Sequence, residues 1–128
     1  MGRGEVIGGP LVIGGRVLSL SRAVRAGDYV FLTGQIPMRD GVVVTDGSIE
    51  EQTRLVLELI KSTLAAAGCD LGDVVKSMIW LRERGDFPGF NAVYGEYFPR
   101  DPPARSAVLN QLLVDVRVEI EVVAYKPR

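Results

Sequence analysis

One arginine and two glutamates near the C-terminus have the types and spacing that chemistry would need. Arg105 lies in a segment that alternates like a β-strand, and Glu119 and Glu121 are two residues apart in the last apolar strand pattern. A guanidinium can hold a carboxylate through two parallel hydrogen bonds, and a glutamate can orient or deprotonate a water molecule. A salt bridge from Arg105 to either glutamate would explain the same residues, and strand patterning leaves both interpretations open.

The alternation of side chains also predicts which face of the sheet carries these groups. Four apolar residues of the last strand form one face: Val118, Ile120, Val122 and Ala124. If that face packs on helices, Arg105, Glu119 and Glu121 can all lie on the opposite face. We therefore expect the three charged side chains to lie together on a face that meets another subunit.

A glycine within a predicted strand over 29–36 is a weaker candidate. Gly34 follows Thr33, and glycine there would let a ligand approach the backbone, although a β-bulge explains it equally well. Asn91, a polar residue in a predicted aromatic helix, is most simply explained by packing. Cys69 has no histidine or second cysteine to activate it, so we expect an inert thiol.

Composition excludes several classes of chemistry. The 128 residues contain no histidine and one cysteine, which excludes histidine-based catalysis, an intrachain disulfide and a cysteine zinc site. The net charge of −1 argues against binding to nucleic acid or to an acidic membrane. No signal peptide or transmembrane stretch is apparent, and a lone thiol suits a reducing compartment, so we expect a cytoplasmic protein.

The elements that must position these groups form a single α+β domain over 1–128. One helix is predicted over 48–67, opened by a capping box of Ser48 and Glu51. A second helix is predicted over 86–97, with Asp86 as its N-terminal cap. The sequence predicts about six strands, the clearest of them over 29–36, 42–45, 74–82, 104–112 and 116–125.

Both faces of these strands are apolar, although two helices can cover only one face. An apolar sheet face of this size normally meets a partner, so we expect a homo-oligomer that buries it between subunits. The alternative is that the glycine-rich N-terminal segment folds over that face.

Seven groups of short motifs share their order and spacing with one protein family, from about residue 17 to 125. They are Ser21–Gly27, Phe31–Pro37, Gln52-Thr53, Ala67-Gly68 with Asp73–Lys76, Asp86-Phe87 with Asn91–Tyr94, Pro103–Ser106 and Val118–Ala124. Together they resemble the Rid (YjgF/YER/endoribonuclease L-PSP) family of reactive-intermediate deaminases. The sequence Pro-Ala-Arg-Ser followed by Val-Glu-Ile-Glu is the most specific part of the match.

The resemblance implies a chorismate-mutase-like fold, in which two helices cover one face of a single sheet, and a homotrimer with three sites between subunits. It implies hydrolysis of 2-imino or enamine acids, such as 2-iminopropanoate and 2-iminobutanoate, to 2-keto acids and ammonia. The substrate would be a small carboxylate-bearing imine. No cofactor is needed, because an imine carbon is already electrophilic and water attack needs mainly positioning.

The resemblance also implies roles for individual residues. Arg105 would grip the substrate carboxylate and Glu119 would hold the attacking water, with Glu121 in that role if the register slips by two. The residues implied to contact substrate are Leu20, Thr33, Gly34, Phe87, Asn91, Arg105 and Ala107. Leu20 and Ala107 stand where the family has a tyrosine and often a cysteine, which bears on the preferred imine.

Two other functions remain as alternatives to the deaminase. One is a non-catalytic ligand-binding or chaperone-like trimer. The other is an endoribonuclease or translation inhibitor, an activity found in parts of the family. The absence of histidine and the net charge of −1 argue against the second.

Overall fold

The computed structural model describes residues 4–128, in which one β-sheet carries both helices on a single face. The helices are α1 (Ile49–Ala66) and α2 (Phe87–Tyr97), and short 3₁₀ turns span Leu71–Asp73 and Arg84–Asp86. The strands are β1 (Glu5–Ile7), β2 (Val12–Ile13), β3 (Arg16–Val17), β4 (Ala23–Ala26), β5 (Tyr29–Leu32), β6 (Met38–Arg39), β7 (Val42–Val43), β8 (Val74–Leu81), β9 (Ala104–Leu109) and β10 (Val118–Tyr125). In this part of the chain, neither helix is both long and apolar enough to cross a membrane.

Six strands form the main sheet in the order β1-β4-β5-β10-β8-β9. All neighbours are antiparallel except β8 and β9, which run parallel and are joined by the crossover that contains α2. The strand predicted over 42–45 is present as the shorter β7, which forms a hairpin with β6, and the turn residues Asp40 and Gly41 have φ angles of 53° and 78°. These positive φ angles are what a two-residue hairpin turn requires. The α+β class, with a mixed sheet and two helices, is confirmed.

The predicted capping box opens α1. The Glu51 amide donates to Ser48 Oγ at 3.1 Å, and the Ser48 amide donates to Glu51 Oε1 at 2.9 Å. Gly68, with φ 77°, follows the helix and lets the chain turn away. Both ends of α1 therefore follow local sequence chemistry.

The hydrophobic core lies between the helices and the inner face of the sheet. The face of β10 predicted to be apolar is buried there, against Ile79 of β8, Ile60 of α1 and Phe90 of α2. Each fully buried aliphatic side chain contributes about 1.5–3 kcal/mol. The central strands β10 and β8 pack against this core, and β9 lies at the edge of the sheet.

The prediction that the Asp86 side chain caps α2 is wrong. Asp86 precedes the helix but has helical angles (φ −81°, ψ −11°), and its side chain makes no capping hydrogen bond. Its two oxygens instead accept from Arg117 Nη1 at 3.2 and 3.0 Å. This charge-assisted ion pair takes the place of a side-chain cap, and it anchors the start of α2 to the sheet.

The predicted strand over 29–36 is interrupted. β5 ends at Leu32, and pairing resumes at Gln35, whose N–H and C=O both bond to Ile120 at 2.8 and 3.0 Å. The strands predicted over 104–112 and 116–125 are also shorter, at Ala104–Leu109 and Val118–Tyr125. The break at 33–34 matters for the site described below.

The face of the sheet away from the helices remains uncovered in one chain. Tyr29, Phe31 and Tyr125 are 45%, 46% and 43% exposed, and the Tyr29 and Tyr125 ring centroids are 5.1 Å apart. The N-terminal segment does not cover this face over the described residues: β1 extends the sheet edge, and Leu11 shares a cleft with Leu59 of α1. The alternative of an N-terminal cover is therefore wrong.

Candidate active site

Arg105 lies on the helix side of the sheet, which corrects the prediction that it shares a face with the two glutamates. In the parallel pair, Arg105 is opposite Ser77 of β8, which is fully buried on the core side. The prediction failed because it assigned Arg105 to the face of the sheet that lies away from the helices. β9 is an edge strand, so its core-side residues lie at the rim of the core, where Arg105 meets α2.

Three aromatic rings of α2 surround the Arg105 guanidinium. Its Cζ lies 4.8 Å from the Tyr94 ring centroid, 5.7 Å from that of Phe90 and 5.8 Å from that of Phe87. The Tyr94 hydroxyl donates to Ser77 Oγ at 2.9 Å, which fixes the nearest ring. Burial raises the pKa of the Tyr94 hydroxyl above its ordinary value. Cation–π contacts of this kind hold a guanidinium without neutralising it.

A single polar contact completes the environment of Arg105. Its Nη2 donates to Asn91 Oδ1 at 2.7 Å. Among residues 4–128, no carboxylate lies within ion-pair distance of Arg105, so a salt bridge to Glu119 or Glu121 within one chain is absent. The guanidinium is thus oriented by neutral groups and keeps N–H donors for a carboxylate ligand.

Next to Arg105 lies a cleft of about 380 Å³ between the end of β9 and the start of α2. Phe87 and Ala107, both predicted to contact substrate, line it. The other lining residues are Leu81, Arg84, Pro88, Val108 and Leu109. Four of the predicted site residues, Arg105, Asn91, Phe87 and Ala107, are thereby brought together on one side of the sheet.

Glu119 lies on the opposite side of the sheet. It is opposite Trp80 in the β10–β8 ladder and lines a smaller cleft of about 210 Å³ with Trp80 and the loop after β9. A Cβ added at Gly34 would overlap the Oε2 atom of Glu119, so a larger residue at this position would displace the carboxylate. Glycine at position 34 therefore lets the Glu119 carboxylate lie against the backbone, a contact that alternation along one strand could not predict.

Burial raises the pKa of Glu119, and the negative charge of Glu121 raises it further. Over the described residues, no cation lies within ion-pair distance of Glu119 to oppose these effects. A carboxylate with a raised pKa is a better proton acceptor near neutral pH than an ordinary glutamate. Glu121 is exposed, two residues further along the same face.

Two predicted site residues remain, Thr33 and Leu20, and neither lies in the cleft beside Arg105. Thr33, next to Gly34, donates its amide to Arg22 O at 2.9 Å. Leu20 precedes β4 and is 40% exposed. One chain therefore carries two separate groups, one around Arg105 and one around Glu119, on opposite faces of its sheet.

Sequence reasoning missed the aromatic surround of Arg105. Phe90 and Tyr94 lie in the second helix, which the sequence identifies only as aromatic. Their spacing with Phe87 and Asn91, at intervals of three and four residues, places all four on one helical face. That spacing was the available signal, but the register between β8 and β9 was needed to show which side chain they would meet.

Comparison with known families gives the decisive match. The family model described as "Endoribonuclease L-PSP" matches residues 16–126, nearly the whole chain. The chain belongs to this family, the Rid/YjgF family. Among the described residues, the Arg105 and Glu119 groups both lie within the matched range.

Relatives of this Rid/YjgF protein agree with the assignment. A RutC family protein of Pyrococcus horikoshii is 48% identical over 109 residues, covering 83% of this chain and 86% of its own. The 3-aminoacrylate deaminase RutC of Acinetobacter baylyi is 42% identical over 105 residues, covering 80% and 83%. The crystal structure of E. coli TdcF with bound serine superposes with a TM-score of 0.84 at 31% identity, covering 95% and 98%.

Proposed function

We propose that this protein hydrolyses reactive 2-imino and enamine acids, including 2-iminopropanoate and 2-iminobutanoate, to 2-keto acids and ammonia. The observation that carries the proposal is the Arg105 guanidinium, held by three rings and Asn91 with no carboxylate among residues 4–128 within ion-pair distance. Such a group is prepared for a ligand carboxylate. A 3-aminoacrylate deaminase among the relatives, and a relative with bound serine, support a small amino-acid-like substrate.

The chemistry follows from positioning. Arg105 would hold the substrate carboxylate, which places the imine carbon at a fixed distance from a water on Glu119. Glu119 would accept one proton from this water as its oxygen bonds to the imine carbon, and would pass that proton to the imine nitrogen. The hydroxyl of the resulting carbinolamine then gives its proton to the same nitrogen as the carbon–nitrogen bond breaks, so that a carbonyl forms and ammonia leaves. Holding water and imine in one geometry supplies most of the acceleration.

This mechanism needs two copies of the chain, because Arg105 and Glu119 face opposite sides of the sheet. We propose that the Arg105 edge of one subunit meets the Glu119 face of the next. A head-to-tail contact of this kind closes into a ring when the rotation between subunits allows it, and a ring of three copies is a homotrimer with three sites between subunits. The exposed aromatic face around Tyr29 and Phe31 supports burial against a neighbour.

A subunit-mixing experiment tests this arrangement. We expect a trimer of about 42 kDa by sedimentation, three copies of a 13.9-kDa chain. Arg105→Ala and Glu119→Gln trimers should each have little activity, but co-expression in equal amounts should restore roughly a quarter of the wild-type activity, because a quarter of the sites then combine one intact Arg105 with one intact Glu119. Trimers mixed after assembly are the control and should restore nothing. A stable monomer, or no restoration on co-expression, would contradict the shared site.

The activity itself is tested by trapping residual imine. A pyridoxal-phosphate dehydratase generates 2-iminopropanoate or 2-iminobutanoate in the cuvette, and semicarbazide captures what has not been hydrolysed. We expect this protein to reduce semicarbazone formation in proportion to its concentration. Unchanged trapping, together with measurable binding of pyruvate, would instead indicate a ligand-binding trimer without catalysis.

The endoribonuclease name of the family suggests a different substrate, but this sequence favours the small molecule. It has no histidine to act as a general acid or base on RNA, and its net charge of −1 lacks the basic excess that favours binding to RNA. We propose that the protein works in the cytoplasm, where pyridoxal-phosphate enzymes release such imines and where its one thiol, Cys69, stays reduced.

A further inference from the structure

We propose that Arg84 binds a second carboxylate of the substrate. The site would then prefer imino acids with an acidic side chain and a carbon skeleton as long as that of glutamate. The inference rests on the proposed function and concerns the cleft beside Arg105. Arg84 has no part in the roles considered so far.

The cleft offers more room than a three-carbon imino acid needs. Its volume of about 380 Å³ falls within the range of about 300–1,000 Å³ typical of small-molecule sites. Its walls are apolar, formed mainly by Leu81, Phe87, Pro88 and Leu109, and Arg84 is the charged residue that lines it. An apolar passage with one cation suits an aliphatic chain that ends in an anion.

The cleft also leads away from Arg105 in a defined direction. Arg105, Ala107 and Leu109 follow one another on the same side of β9, opposite Ser77, Ile79 and Leu81. Successive residues on one side of a strand are separated by about 6.6 Å. A substrate anchored at Arg105 would therefore extend its side chain past Ala107 toward Leu109, where the cleft meets Arg84.

Like Arg105, Arg84 is a cation beside this cleft that makes no ion pair within the described residues. Its neighbours are engaged, since Arg82 pairs with Asp115 at 2.6 Å and Arg117 pairs with Asp86 at 3.0 Å. No carboxylate of residues 4–128 lies within ion-pair distance of Arg84. The 3₁₀ turn that carries it ends at Asp86, whose ion pair with Arg117 fixes the turn against the sheet.

The test compares two imines with the same carbon skeleton length. Amino-acid oxidases acting on L-glutamate and L-norvaline supply an acidic and an apolar five-carbon imine, and semicarbazide reports hydrolysis of each. We expect Arg84→Ala to lower kcat/KM for the acidic imine by about tenfold or more, the effect of losing one charge-assisted contact, and to change the apolar imine less than about twofold. Arg84→Lys should retain part of the preference, and Arg84→Glu should reverse it.

Binding of the keto-acid products separates this inference from the proposed function. Calorimetry with 2-oxoglutarate and 2-oxopentanoate measures the same preference without turnover, with Arg54→Ala, a distant surface arginine, as the matched control. If neither imine is hydrolysed but 2-oxoglutarate affinity depends on Arg84, the proposed function fails and the inference stands. If both are hydrolysed and Arg84→Ala changes both equally, or dissociates the trimer, the inference is overturned.

Discussion

Arg105→Ala is expected to abolish ligand binding and imine hydrolysis together. Its guanidinium is the cation we expect to receive the substrate carboxylate, and it is already oriented by Tyr94, Phe90 and Asn91. Two charge-assisted hydrogen bonds would be lost, each contributing about 1.5–3 kcal/mol. We expect the affinity for pyruvate or benzoate to fall at least about 100-fold by calorimetry, with a comparable loss of kcat/KM in the semicarbazide assay.

Arg105→Lys separates charge from shape. A lysine restores the positive charge but offers a point donor instead of a planar fork, so we expect only partial recovery of affinity. Arg54→Ala is the matched control: that arginine pairs with Glu96 on the exposed helical surface, where a salt bridge contributes little to stability. Sedimentation must show that the Arg105 variants remain assembled. A folded Arg105→Ala trimer that still binds and hydrolyses normally would refute the carboxylate role.

Much of the fold could be predicted from the sequence because its signals are local. The capping box at Ser48, the glycine after α1 and the turn at Asp40-Gly41 each fix a boundary through chemistry within a few residues. The apolar alternation of β10 likewise identified the buried face. The side chain of Asp86 was mistaken for a cap because its partner, Arg117, lies 31 residues away.

The arrangement of the candidate site could not be predicted because it depends on register between distant strands. Alternation within β9 shows that Arg105 and Ala107 share a side, but only pairing with Ser77 shows that this side faces the helices. Similarly, the close approach of the Glu119 carboxylate to Gly34 depends on the Gln35–Ile120 bridge, which brings the two segments alongside each other. The family resemblance pointed to these residues as a group but carried no information on which face each occupies.

Glu119→Gln is expected to leave carboxylate binding nearly intact while it slows hydrolysis. The substituted glutamine would keep the size of the side chain against Gly34 but could not accept the proton of the attacking water. General acid–base assistance is typically about 100- to 10,000-fold, so we expect the loss of kcat to fall in or below that range, with pyruvate affinity within about twofold of wild type. Glu121→Gln is the matched control on the same strand and face, and should keep full activity at neutral pH.

The dependence on pH distinguishes the two glutamates. Because burial and Glu121 raise the pKa of Glu119, the acid limb of kcat/KM should lie above the ordinary glutamate pKa of about 4.3, and Glu121→Gln should move it to lower pH. A raised pKa in the folded state also means that this group's contribution to stability is present at low pH and is lost as the pH rises through that value. Glu119→Gln should therefore not lower the melting temperature at pH 7, so lost activity would not reflect unfolding. Full activity in Glu119→Gln with loss in Glu121→Gln would place the water on Glu121, and full activity in both would remove the water-positioning role altogether.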